Sequence, residues 1–492
     1  MVCQFNRVAA LMQALLYVLV FLAELVVGAT VREKNARQWS LLVGSCILYL
    51  TWTKWFFLVL LASIAMNYLL GQWVRRKPTG LVLCLGVVLN LSLFATFKYL
   101  PDLGPDLPFP AAQAFTHLAL PLGMSFWTFQ AMSYLFDLYR GEKLDPTLVE
   151  FALYMAFFPV SIAGPLCRVP EMLPQFRSST AVQASDRKHG FTRIAIGVLM
   201  MLLGKLLGQG ILAGDGINTG FDRLIGWSGP DVWCLAIGFG LQLFFDFAGY
   251  SHIAIGAAKM LGITVPENFS RPFSSTTPSI FWTRWHMSLS FWIRDYVFLP
   301  LATLRRELLW RNLALILSMV LFGLWHRASV MFVLWGGYHG VLLVAHRQIQ
   351  QLRKRFEWLP LGQWSQISWI VTMAFVSLGW IFFRAPSLPR ASAMMSAVVS
   401  LPTYSFRNLS ASLYLLVASL ALGYAAVLRV KDSLDRSMEA FETTEIPSGM
   451  MTSLARGRGY WVPPLYLLFL MAVLMVTLTQ SPTTAQLLYR AF

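Results

Sequence analysis

Residues 321–346, LFGLWHRASVMFVLWGGYHGVLLVAH, place His326 and His339 among apolar and aromatic side chains. The apolar run before His326 covers residues 313–325, and about 13 residues of helix reach only about 20 Å, which is less than a hydrocarbon core of about 30 Å. We therefore expect His326 to end a half-span. His339 lies inside the next apolar run, residues 330–345, and we expect it at depth. On one straight helix the two histidines would be about 20 Å apart, so they act together only if the chain breaks between them.

The composition indicates that lipid is the main solvent of this chain. Its 492 residues are 57% apolar and 13% charged, and they include 18 Trp and 36 Phe. The mean hydropathy is +0.59. A typical soluble domain has about a quarter charged residues, so this chain has too little polar surface to cover a water-facing exterior. The sequence predicts an all-α polytopic membrane protein.

The net charge of +16 comes from 39 Lys and Arg against 23 Asp and Glu. The basic residues form short clusters between apolar runs, a pattern that sets orientation in a membrane. We therefore expect the lipid bilayer and no nucleic acid as a partner. By the positive-inside rule, residues 75–77, 140–143 and 347–355 should be cytoplasmic and the loop 101–110 should be outside. The cysteines lack the paired spacing of a zinc site, so we expect no metal.

The apolar runs predict about eleven to thirteen transmembrane or re-entrant helices. Several runs are shorter than the roughly 20 residues that a full span needs. Irregular backbone at membrane depth is tolerated only where protein or a water-filled cavity surrounds it. The short runs therefore predict an internal cavity or tunnel. We treat residues 1–492 as a single membrane domain with N-terminal spans (1–115), a core that contains the candidate catalytic residues (116–400) and C-terminal spans (401–492).

A third histidine, His286, lies in a tryptophan-rich segment that Pro278 opens. Ser288 and the pair Arg294 and Asp295 follow it, and we expect a re-entrant helix that turns its polar residues inward. One membrane histidine is about as often a structural hydrogen-bonding residue as a functional one. Three histidines within about 53 positions favour a site.

A buried histidine in a tunnel suits general base catalysis. Its ordinary pKa of about 6.5 lets a neutral imidazole accept a proton from a hydroxyl group at neutral pH. The sequence shows no nucleophilic serine elbow and no Cys–His pair. These features favour direct transfer of an acyl group over a covalent acyl-enzyme, with positioning of the substrates contributing most of the remaining rate enhancement.

Several groups of residues, in order along most of the chain, carry a resemblance to a known family. The groups are residues 121–130 and 137–141, 158–165, 245–251, 267–273, 281–296, 323–326, 335–340 and 379–385. In these groups the chain resembles the membrane-bound O-acyltransferase (MBOAT) superfamily, specifically its bacterial alginate O-acetyltransferase branch. The resemblance implies an MBOAT fold around a central tunnel, with a cytoplasmic entrance for the acyl donor and an extracytoplasmic entrance for the acceptor.

The resemblance also implies the site residues. His339 matches the catalytic histidine of the family, His286 matches a second polar position of the site, and His326 matches a further histidine of the branch. We expect all three to be catalytic. The residues expected to contact substrate are Trp285, Ser288, Trp325, Arg294, Asp295 and Trp335. We also expect bulky side chains at Gly336 or Gly340, beside His339, to block transfer without unfolding the protein.

Two positions depart from the pattern of the branch. Arg327 stands where the branch usually has Gly, and His252 stands where it usually has Asp. A carboxylate role therefore does not carry over to His252. Asp246 and Asp137 remain as acidic alternatives, for which a structural role is the favoured interpretation.

The resemblance implies a membrane O-acetyltransferase that takes acetyl from cytoplasmic acetyl-CoA and passes it across the inner membrane to an exported, alginate-like polysaccharide. A periplasmic acetyltransferase partner would complete the transfer, and no bound cofactor is expected. Within the superfamily, the alternatives are a peptidoglycan or a teichoic-acid acyltransferase. The alternative of another class is a lipid or glycan transporter, which predicts inverted repeats and paired acids that this sequence lacks.

Overall fold

The computed structural model describes residues 2–51, 54–103, 118–211, 214–223, 226–355 and 365–443. Seven helices within these ranges are long and apolar enough to cross a membrane. All regular structure in the same ranges is helical, which confirms the predicted all-α polytopic membrane protein. Most of the loop predicted to lie outside, 101–110, and the apolar run 464–479 fall beyond the described residues.

The described α-helices are numbered along the chain. In chain order they are α1 (Val2–Thr30), α2 (Lys34–Leu50), α3 (Lys54–Arg76), α4 (Gly80–Lys98), α5 (Leu100–Leu103), α6 (Met124–Tyr139), α7 (Leu148–Ala156), α8 (Val169–Phe176), α9 (Ala184–Gln209), α10 (Ile217–Arg223), α11 (Gly229–Met260), α12 (Pro278–Trp282), α13 (Met287–Ile293), α14 (Leu299–Thr303), α15 (Leu308–His326), α16 (Val330–Arg355), α17 (Ser365–Arg384), α18 (Leu388–Val399) and α19 (Ala411–Thr443). Short 3-10 helices cover Pro272–Ser274 and Leu401–Ser405, and a π-helical turn covers Arg294–Phe298.

Helix α11 forms the centre of the fold and packs on α9 through glycines. A Cβ atom on Gly197 of α9 would lie 2.4 Å from the Gly249 carbonyl oxygen of α11. Gly190 and Gly256 repeat this contact, with a corresponding distance of 2.5 Å. Small residues let helix backbones approach closely where lipid gives no hydrophobic drive between helices. In the apolar stretch of α11, 78% is buried inside the protein. This helix therefore supports the site from the interior of the fold.

Ion pairs join helix ends and connecting loops on one face of the molecule, which we call the basic face. The pairs are Arg75–Asp145, Arg177–Glu150, Arg193–Glu267, Lys259–Asp186 and Arg271–Asp432. A hydrogen bond of 2.9 Å from Gln175 to the Thr264 carbonyl oxygen connects two of these pairs. Gln175 is close in sequence to Arg177, and Thr264 is close in sequence to Glu267.

The three basic clusters predicted to share one side of the membrane do share the basic face. Arg75 pairs with Asp145, which directly follows the cluster at 140–143. Arg347 lies 5.9 Å from the ring of Phe298, which belongs to the π-helical turn. The carbonyl oxygen of Asp295, in the same turn, accepts a hydrogen bond from Arg140. That this face is cytoplasmic stays a prediction.

The structure corrects the expectation that His326 ends a half-span. Helix α15 has 19 residues and is about 28 Å long, close to the thickness of the hydrocarbon core. The apolar run begins late because Arg311 and Asn312 interrupt the first turn of the helix. The helix does break between the two histidines, as their joint action would require, since α15 ends at His326 and α16 begins at Val330.

Glycines close the hairpin of α15 and α16. A Cβ atom on Gly336 would lie 2.3 Å from the Met319 carbonyl oxygen, and one on Gly340 would lie 2.8 Å from the Ile316 Cα atom. Both glycines therefore face the backbone of α15. Bulky side chains at these positions would separate the two helices. The expectation that they would block transfer without unfolding the protein is therefore wrong, because they would disturb the fold.

The carboxylate of Glu150 links α7 to α8 on the basic face, outside the membrane-spanning helices. Thr147 and Glu150 form a capping box at the start of α7, and Arg177 donates two hydrogen bonds of 2.8 Å to the carboxylate. The hydrogen bonds from Arg177, helped by the capping bond, lower the pKa of Glu150 from 4.5 to about 2. The ionised carboxylate therefore stabilises the fold fully above about pH 4.5, and this contribution is lost as the pH falls through 2.

We expect Glu150→Gln to lower the unfolding temperature of the detergent-solubilised protein at pH 7. The difference from the wild type should shrink as the pH falls from 4.5 toward 2, because the wild-type carboxylate then takes up a proton. The measurement is the unfolding temperature of both proteins across this pH range. A difference that does not change with pH would contradict the assignment.

Candidate functional site

His339 lies in α16 and is enclosed by aromatic rings. The ring centroids of Trp282 and Trp335 are each 5.2 Å from the imidazole centroid, and that of Trp380 is at 6.4 Å. The side chain is 0% exposed. Within the described part of the chain, neither imidazole nitrogen has a hydrogen-bond partner. Buried polar atoms are rarely left in this state, and a catalytic role is one of the usual reasons.

Gly379 of α17 faces the imidazole of His339 directly. A Cβ atom on Gly379 would lie 2.5 Å from Nε2 and 3.0 Å from Cε1 of His339. The neighbouring Tyr338 donates a hydrogen bond of 2.8 Å to the Phe375 carbonyl oxygen, which fixes α16 against α17. The absence of a side chain at Gly379 therefore lets the imidazole of His339 pack directly against the backbone of α17.

His286 lies between α12 and α13, in a left-handed backbone conformation with φ of 42°. Few residues other than glycine adopt this conformation, and such strain concentrates at functional sites. The imidazole is 1% exposed, and its centroid is 4.6 Å from the Phe247 ring of α11 and 6.3 Å from the Trp325 ring. Both of its nitrogens, like those of His339, are buried without a hydrogen-bond partner among the described residues.

His326 lies between the other two histidines. Its ring centroid is 4.6 Å from that of Trp325, which also contacts His286, and 5.6 Å from that of Trp335, which also contacts His339. The structure thus brings the three predicted histidines together around shared aromatic rings. We call these residues the histidine cluster: His286, His326, His339, Phe322, Trp325 and Trp335.

Of the six residues expected to contact substrate, Trp325 and Trp335 lie in the histidine cluster. Their indole nitrogens are buried without a hydrogen-bond partner in the described ranges. Trp285 lies behind the cluster, with its ring 5.0 Å from that of Trp380. Ser288 is engaged in the fold, because its hydroxyl donates a hydrogen bond of 2.6 Å to Asn268 Oδ1.

Arg294 and Asp295 lie apart from the histidine cluster, and Asp295 lines a polar cavity of about 650 Å³ on the basic face. Asp295 accepts hydrogen bonds from Arg168 at 2.9 Å and from Arg294 at 2.7 Å. The carboxylate of Asp137 accepts a hydrogen bond of 2.7 Å from Tyr296 in the same cavity. Charged groups are costly to bury unpaired, so the segment turns them away from the aromatic interior.

The other positions singled out in the sequence also lie outside the cluster. Arg327 is exposed at the end of α15. His252 is on α11, more than one turn beyond Phe247. Asp246 lies in the contact between α9 and α11, where a Cβ atom on Gly204 would meet its Oδ1 atom at 2.1 Å.

Sequence reasoning missed three residues beside the cluster. Trp282 and Gly379 belong to the groups that carry the family resemblance, but nothing in their spacing indicates contact with His339. Lys98, at the end of α4, lies 4.9 Å from the Trp325 ring centroid and donates a hydrogen bond of 3.4 Å to Ser125 Oγ. A lysine at the end of an apolar run was the available signal, since intramembrane charges are functional candidates.

No group of three or more His, Cys, Asp or Glu side chains in the described ranges could hold a metal ion. The chemistry that the cluster itself offers is proton transfer by imidazole, in a site from which aromatic rings exclude water.

The contacts rank the two supporting histidines. We expect His286→Ala to reduce turnover strongly, because this imidazole has two buried nitrogens available to a substrate. His326→Ala should reduce turnover less, because the ring of His326 packs between Trp325 and Trp335 and its nitrogens are not among the buried atoms without a partner in the described residues. The measurement is turnover of both purified, monodisperse variants. An inactive His326→Ala beside a fully active His286→Ala would show that the cluster is used from its other side.

Comparisons with known proteins agree with the all-helical membrane fold. A family model described as MBOAT, membrane-bound O-acyltransferase family, matches residues 48–387. A Pseudomonas syringae pv. tomato protein named "Probable alginate O-acetylase" is 33% identical over 411 residues, which cover 80% of this chain and 76% of the relative. A Helicobacter pylori protein named "Peptidoglycan O-acetyltransferase" is 30% identical over 427 residues, 79% of each chain. A Bacillus subtilis protein named "Teichoic acid D-alanyltransferase" is 30% identical over 329 residues, 63% of this chain and 79% of the relative.

Proposed function

The chain belongs to the membrane-bound O-acyltransferase family, and from that premise we propose that it moves acetyl from acetyl-CoA to an exported, alginate-like polysaccharide. The protein is a multi-pass membrane O-acyltransferase. The acetyl group, the thioester donor and the polysaccharide acceptor are the proposal. They are supported by the names of its relatives, several of which are named probable alginate O-acetylases and are 33% identical over about 80% of this chain.

The observation that carries the proposed mechanism is the geometry at His339. Its nitrogens are buried without a hydrogen-bond partner in the described chain, and a glycine stands in front of Nε2. A neutral imidazole there accepts the proton of an acceptor hydroxyl as the hydroxyl oxygen attacks the thioester carbonyl carbon. The carbon–sulfur bond then breaks, and the departing thiolate takes the proton from the imidazolium. The products are an ester and a free thiol, and His339 returns to its neutral form.

We infer that the donor enters from the basic face and the acceptor from the opposite one. Acetyl-CoA is a cytoplasmic compound, and the positive-inside rule places the basic face in the cytoplasm. Exported polysaccharides are modified on the other side of the inner membrane. Acyl transfer at His339 would then be the step that carries acetyl across, either to the polymer or to a periplasmic partner that completes the reaction.

A second candidate acceptor is peptidoglycan, because the match to the Helicobacter pylori relative covers as much of each chain as the match to the alginate O-acetylases. Both polymers offer sugar hydroxyls, so the chemistry at His339 is the same. Parallel assays with alginate oligosaccharides and with peptidoglycan fragments separate the two acceptors.

The test of the sided reaction uses proteoliposomes of known orientation, established by labelling of a cysteine at position 76 on the basic face. Labelled acetyl-CoA is supplied to one face and an alginate oligosaccharide to the other. We expect acetylated oligosaccharide only when the donor is added on the basic face. Equal product with the donor on either face would contradict the two-entrance arrangement, and no acetylated product in either orientation would contradict direct transfer from acetyl-CoA to the polymer.

A further inference from the structure

A second cavity, of about 630 Å³, opens between α11, α17 and α19. Its walls are largely apolar, and we call it the lateral groove. Helix α19 forms the outer side of the groove, and only 17% of the apolar stretch of this helix is buried. The groove therefore faces the hydrocarbon region of the membrane and not the aqueous phase.

One end of the lateral groove is charged. Arg271 donates a hydrogen bond of 2.8 Å to Asp432 across this end, and Arg429 is exposed at the rim. The three charges leave one positive charge beyond the ion pair. Trp369 lies beside them and donates its indole N–H to the Phe273 carbonyl oxygen at 2.7 Å. Tryptophan and arginine together at one depth are typical of the head-group level of a membrane.

The length of the groove fits one leaflet. Its wall on α19 runs from Ala421 to the level of Asp432, about 11 residues or about 16 Å of helix. Half of a hydrocarbon core of about 30 Å has the same depth. At its apolar end, the groove reaches Trp380, whose ring lies 6.4 Å from the His339 imidazole. The groove and the histidine cluster thus share a wall.

We propose that the lateral groove binds an anionic phospholipid from the leaflet at the basic face. The phosphate group lies at Arg429 and Arg271, and the acyl chains fill the apolar space between α11, α17 and α19 as far as Trp380. A membrane phospholipid has the three properties that the groove requires: a negative head, apolar chains of one-leaflet length and access from the side. The bound lipid supports Trp380 from behind.

The experiment measures lipid retention by the full-length protein. The protein is released from nanodiscs that contain equal amounts of phosphatidylethanolamine and phosphatidylglycerol, and bound lipid is counted by native mass spectrometry. We expect the wild type to retain phosphatidylglycerol preferentially. Arg429→Gln should reduce that retention about fivefold, the effect of one basic residue near a membrane surface. Arg311→Gln, which removes an exposed charge outside the groove, should retain it as the wild type does.

A second pair of variants tests the apolar part of the groove. Ala425 lines the groove and its neighbour Ala426 does not, and both are exposed. Ala425→Phe should fill the groove and abolish retention of both lipids, whereas Ala426→Phe should leave retention unchanged. Equal retention by the two variants would overturn the proposal. Wild-type protein that carries no lipid would also overturn it. In that case, cross-linking of a cysteine at position 425 to one in residues 464–479 or in a second copy of the chain would identify the other occupant of the groove.

Discussion

Replacement of His339 by alanine is expected to abolish acyl transfer and to leave membrane insertion intact. A positioned general base contributes about 10²-fold to 10⁴-fold to rate, and we propose this imidazole, between α16 and α17, as that base. The measurement is acetyl-CoA turnover by the purified protein in the presence of an acceptor oligosaccharide. Turnover close to that of the wild type would exclude His339 as the base.

Two further variants separate chemistry from packing at this position. His339 is fully buried, so truncation to alanine leaves a cavity that itself lowers stability. His339→Gln keeps most of the volume and removes the base, and it should be equally inactive while remaining monodisperse. His346→Ala, on the same helix seven residues toward the basic face, is the matched control and should keep nearly full turnover.

The membrane character of the fold could be predicted from the sequence, and helix bounds could not. Long apolar runs identify spans because a hydrocarbon environment requires them. Helix α15 shows where the helix bounds are missed. Arg311 and Asn312 belong to the helix, yet the apolar run begins only after them. Long polar side chains near a helix end can extend to the membrane surface, so an apolar run gives a minimum length and not the helix itself.

The close approach of α9 and α11 was also beyond sequence reasoning. Gly190 and Gly197 on one helix and Gly249 and Gly256 on the other meet through backbone atoms. Glycines at intervals of seven residues are visible in each segment, but the partner segment is not. Only the packing of the helices shows that these glycines determine the position of α11. The position of α11 in turn places Phe247 beside His286.

The chemistry-bearing residues of the site could be predicted by type, and their surroundings could not. The three histidines stand out because ionisable side chains are rare in apolar segments. Trp282 and Trp380 enclose His339 from segments about 57 and about 41 residues away, and nothing local to either segment indicates the contact. Arg294 and Asp295 are the opposite case: their types suggested the site, but they pair with each other, and Asp295 lines the polar cavity on the basic face.

Replacement of Gly379 by alanine is expected to reduce turnover about 10²-fold without loss of folded protein. The added methyl group would lie 2.5 Å from His339 Nε2 and 3.0 Å from Cε1, so the imidazole must turn or move. A displacement of about 1 Å at a reacting group can cost about 10²-fold in rate. Alanine is also a better helix former than glycine, so α17 itself is not weakened. Gly337→Ala is the control, because its methyl group would meet only Val320 Cγ2 at 3.9 Å.

The double variant Gly379→Ala/His339→Ala decides how the methyl group acts. If it acts by displacing the imidazole, it should add little to the loss caused by His339→Ala, because the group that it displaces is gone. Residues that act as a unit are strongly non-additive in this way. If the methyl group instead obstructs a substrate, the two losses should multiply. Residual turnover of the three variants, measured at saturating donor, therefore tests whether glycine is required at position 379 to keep the imidazole in place, and a multiplied loss would show that the methyl group obstructs the substrate instead.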